Sequence, residues 1–257
     1  MVSPSYVSPV SCRFRFPTVP PYWLAGVDGC PAGWIAALAR LDANHRLGRL
    51  RFVLCPHFEA VLNLSPAPQV IAIDVPIGLL DTPQPGGRDC DQLARRLLRR
   101  RSSSVFSPPS RAVLQATHYD DVRGHGMSRQ AFGILPKIRE VDRLITPAHQ
   151  HTVYEAHPEL AFMHLAGAPM QSNKKTAAGR EERLQALRRA AHPRYAAWSS
   201  AWRGALRTYR RVQVAPDDLL DACALLQTSY RLATAQAQHL PATPVLDAKG
   251  LRMEICY

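Results

Sequence analysis

Apolar and polar positions along the chain alternate between strand-length runs and helical stripes. Leu24–Val27 is a short buried strand ending in Asp28. Gly29-Cys30-Pro31-Ala32-Gly33 supplies turn chemistry and Trp34–Leu41 resumes as a second strand, so the two read as a hairpin. Arg49–Leu54 alternates well enough for a third strand, and Phe58–Leu64 reads as a short helix. Gln69–Ile73 is an apolar run of strand length, as expected where both faces of a strand are covered. It ends in Asp74, and Pro76 and Gly78 break the chain just beyond. Thr152–Glu155 is a fifth short strand, and Pro244–Tyr257, turning at Lys249-Gly250, is a closing hairpin.

Helical periodicity fills the intervals. In Asp89–Arg101, Leu93, Ala94, Leu97 and Leu98 form one stripe and Arg95, Arg96, Arg99 and Arg100 oppose it. Gln130–Ile145 has apolar positions three or four apart, with a break expected near Pro136. Arg180–Ala191, Arg194–Arg210 and Asp217–Gln238 complete the helices. Residues 1–22 are proline-broken and aperiodic, and are expected to be a disordered leader contributing little to the core. The expected organisation is one domain over 23–257, with an insertion at about 79–151. Strands interleaved with helices in this order argue for an α/β sheet covered by helices.

Composition narrows the function classes. The 257 residues are 46% apolar and 20% charged, which excludes a disordered chain. No apolar run reaches the ~18–20 residues of a membrane-spanning helix, so no membrane partner is expected. The formal net charge is +12, and 28 of the 32 cationic residues are Arg. Arg grips phosphate through paired hydrogen bonds, which favours a polyanionic partner. A GC-rich coding sequence gives the same bias, so composition alone does not name that partner. The six cysteines, at 12, 30, 55, 90, 223 and 256, form no CxxC pair and no zinc-finger spacing. With no apolar signal core ahead of residue 24, the reading is a reduced, cytoplasmic protein.

Three strands end in a carboxylate: Asp28, Asp74 and Glu155. A charge at the end of an apolar strand is costly unless something compensates it, and strand ends are where open α/β sheets bind ligands. A further group, Asp217, Asp218 and Asp221, opens the last long helix. Capping accounts for most of Asp217 and part of Asp218, whereas Asp221 lies too deep for it. Asp217 is expected to point away from the other acids. Asp28 before Gly and Asp74 before Val-Pro also fit plain turn chemistry. Carboxylates converging from strand ends and a helix suit hard cations such as Mg²⁺ or Mn²⁺, and two such ions can clamp a phosphodiester.

Several segments together carry a resemblance. Ala25–Trp34, Ile73–Gly78, Tyr154–Glu159, Ser104-Val105-Phe106 with Pro108-Pro109, Gln130-Ala131-Phe132 with Pro136-Lys137-Ile138, and Asn173–Thr176 resemble the family known as domain of unknown function 429. That family is described as predicted nucleases with an RNase H-like fold. The resemblance runs from about Ala25 to Tyr257. It implies a mixed sheet of three antiparallel N-terminal strands plus parallel strands, flanked by helices, with a large helical insertion. It also implies metal ligation by Asp28, Asp74 and Asp221, with Asp218 as an additional helix acid. Glu155 joins the catalytic candidates less firmly, because a fifth-strand acid is not general in that superfamily.

The basic candidates are Arg88, which opens the Arg-rich helix, and Arg95, Arg96, Arg99, Arg100 and Arg101 on its polar face, a stripe suited to tracking a phosphate backbone; a solvated helix face explains the same stripe. Lys137, Lys174 and Lys175, distinctive in a chain with only four lysines, are read as binding a substrate phosphate or stabilising charge that develops in the transition state. His157 is read as orienting a carboxylate, relaying protons or holding structure. The leading function is a divalent-metal-dependent nuclease or phosphodiesterase using two ions, on DNA or RNA. Two alternatives stay open: an actin-like or sugar-kinase-like phosphate binder built on the Asp28-Gly29 turn, and a non-catalytic nucleic-acid-binding protein.

Overall fold

Leu24–Val27 is the centre of a longer strand. The computed structural model describes residues 21–122, 127, 129–191 and 194–257. Strand β1 runs Tyr22–Cys30 and strand β2 Gly33–Leu41, paired antiparallel from Tyr22 opposite Leu41 to Cys30 opposite Gly33. Gly33 closes the turn at φ 129°, and a Cβ there would meet the Cys55 carbonyl at 2.3 Å. Strand β3 (Arg51–Cys55) adds antiparallel to β2, and helix α1 (Phe58–Leu62) follows. Strand β4 (Pro68–Ile73) lies parallel to β1 on its other edge. Strand β5 (Val153–Glu155) lies parallel to β4, giving the order β3-β2-β1-β4-β5. This is the mixed sheet expected from the sequence, consistent with an RNase H-like arrangement.

Helices cover both faces. Helices α5 (Ala177–Ala190), α6 (Tyr195–Thr208) and α7 (Pro216–Ala233) bury Leu187, Trp198 and Leu226 with Leu24 and Ile35. On the other face α1 and helix α3 (Arg129–Leu144) bury Phe58, Ile138 and Val141 with Val27, Trp34 and Ile73. Successive strand residues point to opposite faces, so Leu24, Gly26 and Asp28 share the face that α7 covers.

At Gly26 helix and strand backbones touch. A Cβ there would lie 2.0 Å from the Leu226 nitrogen and 2.2 Å from the Ala222 oxygen. One turn on, the buried Ser229 hydroxyl donates to the Ala25 carbonyl at 2.6 Å and accepts from the Ala72 N–H at 2.9 Å. These contacts fix the register of α7 against β1 and β4, and so the height of its acids.

The stretch between β4 and β5 holds helix α2 (Asp89–Leu98), 3-10 turns and α3. Helix α4 (Pro158–Ala166) follows β5, and strands β6 (His239–Leu246) and β7 (Arg252–Cys256) form the closing hairpin. Cys90, Ala94 and Leu98 of α2, Leu160 of α4 and Ile255 of β7 share a third cluster.

Several elements differ from the sequence reading. Helix α2 ends at Leu98 because Arg99 takes a left-handed φ of 49°; the chain continues as a 3-10 helix to Ser104. Leu97 of the expected stripe is exposed, its place in the core taken by Cys90 and Asp91. Helix α3 continues through Pro136. Proline costs an interior helix about 3 kcal/mol, and the buried face Leu135, Ile138, Val141 holds both halves against that loss. Helix α4 was not expected. The expected leader lies outside the described residues up to residue 20, whereas Tyr22 is buried and opens β1. Among the described residues, no helix is long and apolar enough to cross a membrane.

Candidate active site

Asp28 sits near the end of β1 on the α7 face, and Asp74 directly follows β4, its N–H donating to the Val27 carbonyl at 3.0 Å. The parallel ladder therefore delivers these two carboxylates side by side. Asp221 comes from the second turn of α7 and Asp218 from its first. All four line one cleft of about 450 Å³, together with Lys137, His157, Lys174 and Lys175. Residues separated by up to 193 positions in sequence thus meet at the strand ends.

Asp218 accepts the Ala215 N–H at 2.8 Å, the reciprocal half of a capping box. Capping therefore falls to Asp218 and not to Asp217, because α7 starts one residue earlier than its sequence reading. Asp217 is also not turned away from the cluster. Four residues from Asp221, it shares that helix face, and its carboxylate lies 3.8 Å from Lys174 Nζ.

Asp28 and Asp221 are buried, and Asp74 and Asp218 are half-buried. Burial pushes the Asp28 carboxyl well above the usual range, and Asp221 and Asp74 push it further, with Lys174 opposing. Burial likewise raises Asp74, against the pull of His157 and Lys174. Burial raises Asp221 as well, opposed by Lys174, and lifts Asp218 to about 6 despite its backbone hydrogen bond. Lys174 donates to Asp221 Oδ2 at 2.6 Å. Burial works against its charge, but attraction to Asp221, Asp28 and Asp217 outweighs it, so the ammonium is held charged. Asp221 Oδ1 is buried with no hydrogen-bond partner.

Oxygen donors, burial and that orphaned atom fit a hard divalent ion. Among the described residues, His239, Glu254 and Cys256 are the one trio whose ligand atoms all lie within 4.8 Å of one another; the cleft aspartates stand wider. That trio is already internally satisfied, since His239 Nδ1 is 3.0 Å from Glu254 Oε2 and Arg252 donates to Glu254 Oε1 at 2.7 Å.

The cationic rim is built from α3, the α4–α5 loop and the end of the α2 segment. Lys137 donates to the Gly33 carbonyl at 2.5 Å and sits 4.8 Å from the Trp34 ring centroid. Its methylenes pack on Gly29, where a Cβ would stand 3.2 Å from Lys137 Cδ. Lys175 is exposed and lines the same cleft. Arg101 also lines the cleft, bonded to Glu159 at 3.2 and 3.4 Å. The fully buried Arg183 donates to the same carboxylate, so burial of Glu159 is outweighed and its pKa falls below the ordinary value. Arg101 belonged to the arginine stripe read from the sequence, whereas Glu159 and Asn173 were given no role of their own. Glu159 lies two residues past His157 in a quoted motif, which was the available signal. His157 caps α4, Nδ1 accepting the Glu159 N–H at 3.2 Å; in its neutral form Nε2 then donates to the Ser104 carbonyl at 3.2 Å. Its role is to hold the cleft wall.

Four expected site residues stand apart. Glu155 and Arg88 are buried and answer each other: Arg88 Nη1 and Nη2 donate to the two Glu155 oxygens at 2.8 and 2.5 Å. Arg88 Nη2 also donates to Asp91 at 2.8 Å, and Nη1 to the Ile77 and Gly78 carbonyls. Glu155 Oε2 also accepts the Ile77 N–H at 2.6 Å. This network braces the chain that leaves β4, so Arg88 offers no guanidinium to a substrate. Arg95 donates to the Val105 and Gly86 carbonyls, and Arg99 is exposed on the outer turn. Neither lines the cleft.

A family model described as a protein of unknown function (DUF429) matches residues 26–245, and the chain belongs to that family. No curated protein and no solved structure matches it.

Proposed function

For this member of the domain of unknown function 429 family, we propose a divalent-metal-dependent nuclease or phosphodiesterase acting on nucleic acid. The observation that carries the reading is the meeting of Asp28, Asp74 and Asp221 in one cleft, with Asp221 Oδ1 buried and unpaired. Those three residues would hold Mg²⁺ or Mn²⁺. When bound, the metal withdraws charge from the phosphoryl group and acidifies an attacking water.

The chain's own residues supply the rest. Asp218 fixes the start of α7 and adds negative charge beside the ligands. Lys137, Lys175 and Arg101 face the same cleft and would contact phosphate oxygens, Arg101 being aimed by Glu159. The formal charge of +12 favours a polyanion and makes its binding salt-dependent. The free, buried thiols Cys30, Cys55, Cys90, Cys223 and Cys256 support a cytoplasmic setting. The Asp28-Gly29 turn gives less support to a phosphate cradle, because Lys137 methylenes lie over Gly29 and the Ala32 N–H is already given to the Gln213 carbonyl at 3.1 Å.

The test is cleavage of single- and double-stranded DNA, RNA and hybrid, with ATP alongside, in Mg²⁺ or Mn²⁺, by wild type and Asp28→Asn. Metal-dependent cleavage that Asp28→Asn abolishes is the expected result. Phosphate release from ATP outpacing every oligonucleotide, or nucleic-acid binding with no turnover on any substrate, would overturn it.

A further inference from the structure

We propose that this site takes one divalent ion, and that Lys174 supplies the second positive charge where a second ion would otherwise sit. The inference rests on the metal-dependent reading above and replaces the two-ion expectation.

A carboxylate shared by two ions gives one oxygen to each. On Asp221 the two oxygens are already distinguished: Oδ2 takes the Lys174 ammonium at 2.6 Å, and Oδ1 is buried and empty. One ligand position is left open and the other is held by a tethered cation. Formal charge agrees. Asp28, Asp74 and Asp221 carry three negative charges, which one divalent ion and one ammonium match. Asp218 adds negative charge beside these three and caps α7 through one oxygen.

Lys174 is also held firmly by its backbone. Gln171 and Ser172 donate their N–H groups to Glu182 at 2.7 and 2.9 Å. The Asn173 carbonyl accepts from the Thr176 hydroxyl at 2.8 Å, and Thr176 in turn caps α5 through the Gly179 N–H at 3.0 Å. The loop is pressed so tightly on α5 that a Cβ at Gly179 would lie 2.0 Å from the Asn173 oxygen. A lysine on so braced a loop, reaching a buried carboxylate, is a fixed charge and not a wandering surface cation. Metal that reached both Asp221 oxygens would have to expel it.

The test counts Mn²⁺ bound per full-length chain by equilibrium dialysis, for wild type, Lys174→Met, Lys174→Arg and Asp28→Asn, with circular dichroism confirming the fold. One ion is expected for wild type and Lys174→Arg, two for Lys174→Met, and none for Asp28→Asn. Two ions on wild type, lost in Asp28→Asn, would overturn the one-ion assignment and leave the metal-dependent reading standing. One ion on a folded Lys174→Met would show that Lys174 holds no second position. No Asp28-dependent ion on any variant would overturn both. The wild-type count decides the number of ions even where Lys174→Met does not fold.

Discussion

Gly26→Ala tests the packing that brings Asp221 to Asp28. The new methyl would point at helix backbone: 2.0 Å from the Leu226 nitrogen, 2.2 Å from the Ala222 oxygen and 2.5 Å from the Leu225 carbonyl carbon. None of these atoms can rotate aside. Ordinary contact starts at 3.4 Å, so α7 must retreat by about 1.4 Å. Overpacking of this kind costs ~1–3 kcal/mol, and rigid backbone places Gly26→Ala at about 3. For a chain of this size that is a melting-temperature loss of roughly 6–12 °C. Because α7 carries Asp221, the Mn²⁺-dependent rise in melting temperature should shrink as well. The control is Gly204→Ala in α6, where a Cβ meets nothing within 4 Å; it should gain about 0.5–1 kcal/mol from reduced chain entropy. Thermal melts of the three proteins with and without Mn²⁺ make the comparison. A Gly26→Ala melt within about 2 °C of wild type, with the Mn²⁺ shift intact, would refute the claim that this contact sets the site.

Three further outcomes follow from the same geometry. Asp28→Asn removes one of the crowded charges, so its metal-free melt should equal or exceed wild type, while the stabilisation by Mn²⁺, ~2.7 kcal/mol at a hundredfold excess over Kd, disappears. Burial lifts Asp218 from 3.8 to about 6, so the native state holds that proton more tightly than the unfolded chain and ionisation costs stability as pH rises between those values. In metal-free urea titrations the stability of wild type relative to Asp218→Asn should therefore fall by ~1–2 kcal/mol from about pH 4 to pH 6, allowing for partial exposure; a flat difference would contradict the assignment. Arg88→Met strands Glu155 and Asp91 as buried charges and should cost ~3–5 kcal/mol in the same titration, with cleavage lost only as far as the protein unfolds.

The parts of the site that could be read in the sequence are those where chemistry conflicts with its surroundings. Asp28 and Asp74 terminate apolar runs, Asp221 interrupts a helix too deep for capping, and Lys174 is rare in an Arg-rich chain. Each such residue needs a reason, and the fold supplies it. Arg88 and Glu155 looked equally conspicuous, but their reason is each other across 67 positions, a pairing that no local pattern reveals. Helix α4 escaped because Leu160, Ala161 and Phe162 are buried in succession, leaving little amphipathic period to detect. The exchange of roles between Asp217 and Asp218 came from a one-residue error in the start of α7. Which acid turns back to cap depends on that residue alone.

The central claim is that Asp28, Asp74 and Asp221 are metal ligands. Anomalous diffraction from crystals soaked in Mn²⁺ tests it most directly. The account predicts a peak in the cleft on Asp221 Oδ1, with the Asp28 and Asp74 carboxylates drawn in to ligand distance around it and the Lys174 ammonium still on Oδ2. A cleft without a peak, or manganese found only beside His239, Glu254 and Cys256, would contradict it.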